Sequence, residues 1–83
     1  MTFKEFNALG LFEKIQAVQL GRLVAKRKTK DFHIYLYTLD DFYVEVLYSP
    51  FEHELKGFIP FKHLQRLEPY LRQINLPAFL NNF

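Results

Sequence analysis

Two periodicities divide the chain. From Thr2 to about Leu20 apolar residues recur at helical spacing, with Ala8, Leu11, Phe12, Ile15 and Val18 on one face, which predicts an amphipathic helix. Its opening, "TFKEF", is a capping box: the Thr2 hydroxyl can accept from the Glu5 amide while the Glu5 carboxylate accepts from the Thr2 amide. Gly10 marks a kink or break, and Gly21 stands where a left-handed residue commonly closes a helix. From Arg22 to Phe61 the period becomes two, and β-branched and aromatic residues alternate between polar turns, the pattern of an antiparallel meander of three or four strands. Beyond Pro60 the stripe Leu64, Leu67, Leu71 and Ile74 is helical again. Pro69 disfavours α geometry at Glu68, so two short helices or a sharp kink are expected there, followed by a last turn from Pro77 carrying Phe79, Leu80 and Phe83.

Side-chain parity then constrains the turns. If Leu23 and Ala25 face inward beside Ile34 and Leu36, a two-residue turn at Lys30 and Asp31 pairs Lys26 with Tyr35 and Lys28 with His33. A two-residue turn at Asp40 and Asp41 would set Tyr35 opposite Val46 and mix the faces. Keeping the aliphatic face uniform therefore calls for a three-residue loop, Leu39 to Asp41, that pairs Leu36 with Val44 and Ile34 with Val46. "SPFEHE" closes the third turn with Pro50 at its second position, after which Leu55 and Ile59 return to the core. The expected fold is α+β: one domain over residues 1–83, with two layers, in which N- and C-terminal helices lie on one face of the meander, the face of Ile34, Leu36, Val44 and Val46.

This register leaves Val24, Tyr37 and Tyr43, then Lys26, Tyr35, Glu45 and Phe58, then Lys28, His33, Leu47 and Lys56 on the far side of the sheet. A one-sided antiparallel sheet ordinarily shows plainly polar residues to water. A contiguous apolar patch marks an interaction surface more often than an isolated exposed side chain does, the alternative being that tyrosines suit strands and keep their hydroxyls in water. Tyr35, Tyr37, Tyr43, Leu47 and Phe58 are thus the candidate interaction face. It suits docking on a second copy as a homodimer or on another protein, because tyrosine is enriched at interfaces.

Composition adds one alternative. Net charge is only +2, but Arg22, Lys26, Arg27, Lys28 and Lys30 crowd into nine positions, and without them six basic residues stand against nine acidic ones, a net of −3. Aromatics on an open sheet can stack bases while cations hold phosphates, so single-stranded nucleic acid is the second candidate partner, with Lys26, Lys28 and Lys30 as phosphate contacts. Against it stand Glu45 in the middle of the patch and the absence of an RNA-recognition signature.

Little points to catalysis. Ser49, the only serine, precedes Pro50 in a turn, and no glycine-flanked elbow surrounds it. Glu52, His53, Glu54 and His63 lack the i, i+4 histidine pair of a helical metal site, Asp40 and Asp41 read as turn formers, and three glycines form no phosphate loop. The reading is therefore a non-enzymatic module with no cofactor or metal. The absence of cysteine leaves the redox compartment open; with no apolar run of signal-peptide or membrane-span length and with Glu5 and Glu13 early in the chain, it is expected in the cytoplasm, away from membranes.

Overall fold

The expected capping box forms: the Thr2 amide donates to Glu5 Oε1 at 2.8 Å and the Glu5 amide donates to Thr2 Oγ1 at 3.1 Å. In this computed structural model, which describes residues 1–73, it opens helix α1, Phe3–Ala8. Leu9 and Gly10 are both extended, so the break anticipated at Gly10 is complete, and helix α2 restarts at Leu11–Gln19, where Glu13 accepts from the Gly10 amide. The interruption resets the helical phase. Phe6 of α1 and Ala17 and Val18 of α2 are buried, while Leu11 and Phe12, expected on the inner face, are exposed. Gly21 is not left-handed. Its smallness serves packing instead, since a Cβ there would lie 2.5 Å from the Thr38 carbonyl oxygen. No helix among the described residues is long and apolar enough to cross a membrane.

The sheet is a four-stranded antiparallel meander in the order β1 (Arg22–Lys28), β2 (His33–Leu39), β3 (Phe42–Ser49) and β4 (Glu54–Phe61). The first hairpin has the expected register, with Lys26 opposite Tyr35 and Lys28 opposite His33. Leu23 and Ala25, however, do not share a face: the register shifts between them, leaving Val24 unmatched, Leu23 opposite Tyr37 and Ala25 opposite Leu36.

The second hairpin corrects the parity argument. Leu39 pairs with Phe42 around a two-residue turn in which Asp40 takes a positive φ of 51°, a conformation that Asp tolerates well. Tyr35 consequently faces Val46, Tyr37 faces Val44 and Leu36 faces Glu45, the mixing that the three-residue loop was meant to avoid. That loop was needed only if one face of the sheet met water. Here helices pack on both faces, so a half-buried tyrosine and a valine on the same side carry no penalty.

Two apolar clusters back this up. On one side Phe6, Ala17 and Val18 pack with Leu39, Phe42, Val44 and Val46, and Tyr35, Tyr37 and Phe58 lean against them half-buried. On the other side Leu36 and Phe61 pack with Tyr70, flanked by Ala25, Tyr43 and Leu67. A 3-10 turn over Leu64–Leu67 leads directly into helix α3, Glu68–Gln73, so the chain does change helix type before Pro69, although Glu68 is itself α-helical. The α+β class and meander thus stand, while the C-terminal helix covers the face opposite the N-terminal pair. Tyr70 rather than Leu71, which is exposed, carries α3 onto the sheet. Ile74 and the turn expected from Pro77 lie outside the described residues.

Candidate functional site

The helices α1 and α2 are short and cover only part of their side of the sheet. Alternation along β2 brings Tyr35 and Tyr37 to that side, pairing across β3 adds Val46 and Tyr48, and β4 contributes Phe58 and Leu55. Between these strands and Ile15, Val18 and Gln19 of α2 lies an open groove of about 310 Å³. Its walls are aliphatic and aromatic with few polar tips, a composition that suits an apolar guest. At one end the Tyr48 hydroxyl lies 3.4 Å from His53 Nδ1, and the His33 ring centroid is 6.4 Å from that of Tyr48.

A second hollow, of about 370 Å³, runs along the β1–β2 hairpin, lined by Lys26, Lys28, His33 and Tyr35 and also by Arg27 and Ile34 of the opposite face; Tyr35 lines both hollows. None of Arg22, Lys26, Lys28 and Lys30 has a carboxylate partner among the described residues, whereas Lys56 pairs with Glu52 and Glu54, Lys62 with Asp41, and Arg27 and Arg66 with Glu45. A third hollow, about 530 Å³ near Gly21, Thr38 and Asp40, has no aromatic wall, and Asp40 there is engaged by the N-terminal ammonium.

The five residues expected to form one docking face are divided. Tyr35, Tyr37 and Phe58 line the groove, but Tyr43 and Leu47 point to the other side, where Tyr43 stacks on Phe61 at 5.4 Å and 19°. Lys26 and Lys28 share the groove side with Tyr35, and Lys30 lies in the turn beyond them. His33 and Glu45 lie on opposite faces. Ser49 is buried and its Oγ accepts from the Glu52 amide, the role of a turn residue. Among the described residues no three of His, Asp and Glu gather in reach of one metal ion.

The alternating pattern missed the role of Glu45. Expected in the middle of an open face, it is 2% exposed beneath α3. Tyr70 donates its hydroxyl to Glu45 Oε2 at 2.8 Å, Arg27 donates to the same oxygen at 3.1 Å, and the half-exposed Arg66 reaches Oε1 at 3.4 Å. The Arg27 guanidinium also lies 5.3 Å from the Tyr70 ring centroid. Burial and donation to Glu45 push the Tyr70 hydroxyl well above its ordinary pKa. Burial alone would lower Arg27, but the neighbouring Tyr70 hydroxyl and the Glu45 carboxylate outweigh that and raise it. The cluster is structural: it fastens the C-terminal helix to the sheet. Its signal in the sequence was a lone carboxylate in "FYVEVLY" two strands from Arg27, which shares its face.

Comparison of the chain with protein-family models, with curated proteins and with solved structures yields no match.

Proposed function

We propose that the chain is a non-catalytic interaction module whose groove between α2 and the sheet receives a protruding aliphatic or aromatic side chain of a partner protein. The observation that carries this reading is the groove itself: Tyr35, Tyr37, Tyr48, Phe58 and Leu55 surround an open volume of about 310 Å³. The division of the expected face between two sides favours a protruding guest over a symmetric homodimer, which would need one flat, self-complementary patch. Burying one Phe or Leu contributes about 1.5 to 3 kcal/mol. A dissociation constant of 100 μM corresponds to about 5.5 kcal/mol, so the anchor alone is insufficient and flanking contacts must add to it.

Selection from a random peptide library tests the reading. Enriched peptides should share a Phe, Leu, Ile or Met anchor and should lose binding to Gln19→Trp, a change at an exposed groove-lining position that fills the mouth without disturbing the core. Peptides without a shared anchor, or peptides that bind Gln19→Trp undiminished, would refute it. In parallel, light scattering should give the monomer mass of 10.0 kDa across concentrations.

A further inference from the structure

We infer that the partner segment is acidic, with carboxylates that meet Lys26 and Lys28 while its apolar anchor lies in the groove; this rests on the reading of the groove given above. Three observations converge. The pairings Lys26 with Tyr35 and Lys28 with His33 put both lysines on the groove side of the sheet. Tyr35 lines both the groove and the hollow along the β1–β2 hairpin, and Lys26 is its cross-strand partner, so a guest seated against Tyr35 lies one strand from a cation. Finally, these lysines have no carboxylate partner among the described residues, while the buried carboxylate of Glu45 points to the opposite face and is held there by Arg27, Arg66 and Tyr70.

Charges on an edge strand deter unwanted strand pairing, and β1 is an edge. That role alone does not require both lysines to stand on the groove side of the sheet, opposite Tyr35 and His33. Strand spacing also sets the ligand's spacing. An anchor above Tyr35 and Val46 sits over β2 and β3, and Lys26 lies one strand further on, about 5 to 10 Å away at about 4.8 Å per strand. An extended peptide covers that distance in two or three residues at about 3.3 Å each, so the acidic residues belong two or three positions from the anchor. Single-stranded nucleic acid is less well served, because base stacking needs open ring faces. Tyr37 and Phe58 lean on the helix-side core, and Tyr43 spends a face on Phe61.

The test uses the full chain, isotope-labelled with ¹⁵N, and four probes. Three are nine-residue peptides with one central Phe and Glu, Ser or Lys at the second and third positions on either side, and the fourth is a mixed-sequence ten-nucleotide oligodeoxynucleotide. Amide shifts around Tyr35, Tyr48 and Leu55 should show the Glu peptide binding about tenfold more tightly than the Ser peptide and the Lys peptide weakest. Moving from 50 to 500 mM salt should erase most of that advantage. In Lys26→Glu/Lys28→Glu, a change at two exposed positions whose folding the same spectrum verifies, the order should invert. Equal binding of all three peptides, unchanged in the double variant, would overturn the acidic partner yet leave the groove reading standing. No shift of groove residues with any peptide would overturn both. Tighter binding of the oligonucleotide than of the Glu peptide would also overturn the inference and assign the lysines to phosphates.

Discussion

Tyr70→Phe isolates the bond that ties the C-terminal helix to the sheet. The ring stays, so packing against Leu36 and Phe61 is retained, and only the hydroxyl that donates to Glu45 at 2.8 Å is lost. Tyr70 is 5% exposed and Glu45 2%, so water does not readily replace the missing donor. Glu45 keeps Arg27 at 3.1 Å, and Arg66, half-exposed at 3.4 Å, compensates little. A hydrogen bond to a buried charged group contributes about 1.5 to 3 kcal/mol, which puts the expected destabilisation near 2 kcal/mol. At a slope of about 1 to 2 kcal/mol per molar urea for a domain of this size, the unfolding midpoint followed by circular dichroism should fall by about 1 to 2 M. The thermal midpoint should fall by about 10 °C. Tyr43→Phe is the matched control. Tyr43 is half-buried on the same face but its hydroxyl has no hydrogen bond among the described residues, so it should cost less than about 0.5 kcal/mol. If Tyr70→Phe is as mild as Tyr43→Phe, the Glu45 cluster does not hold α3 in place and the reasoning fails.

Gly21→Ala would place a methyl 2.5 Å from the Thr38 carbonyl oxygen, which cannot swing aside, and should cost about 1 to 3 kcal/mol in urea denaturation; Gly57→Ala has open space and should be neutral or gain up to about 0.5 kcal/mol. The raised pKa of Tyr70 means the folded state holds this proton more tightly than the unfolded chain does. Its contribution is therefore complete below the ordinary tyrosine pKa of about 10 and is lost as pH rises above it, so stability measured in urea should fall from pH 9 to 11 more steeply in the wild type than in Tyr70→Phe. Equal slopes would contradict that assignment.

Local signals in the sequence translated directly into structure where the physics is local. Thr2 and Glu5 formed their box, Gly10 broke the helix, and the Lys30–Asp31 turn set the first hairpin's register. The failures share one cause, the assumption that the sheet buries a single face. Under it Asp40 and Asp41 needed a third loop residue and the tyrosines became an exposed patch. In the folded chain the two-residue turn is tolerated because helices lie on both sides, and half-buried tyrosines serve as well as valines. Alternation alone cannot distinguish an open tyrosine face from one partly roofed by a short helix. Nor does it show that Glu45 will meet Arg27 and Tyr70, since those contacts span 18 and 25 residues of sequence. Of the residues around the groove, Tyr35, Tyr37, Phe58, Lys26 and Lys28 were expected to share a face and do so, but on the side of the N-terminal helices rather than on the far side. Tyr48, Leu55 and Gln19 were not expected beside them, because their place depends on the bulge between Leu47 and Tyr48 and on where α2 ends.

The central claim, that this groove receives an apolar anchor from a partner segment, is tested most directly by intermolecular nuclear Overhauser effects between the isotope-labelled chain and an unlabelled, library-selected peptide. The anchor's side-chain protons should give cross-peaks to the rings of Tyr35, Tyr37 and Phe58 and to the methyl groups of Ile15 and Leu55, all of which line the groove. Cross-peaks confined to Tyr43 and Leu47 on the opposite face, or to the exposed Phe51 in the turn between β3 and β4, would contradict it.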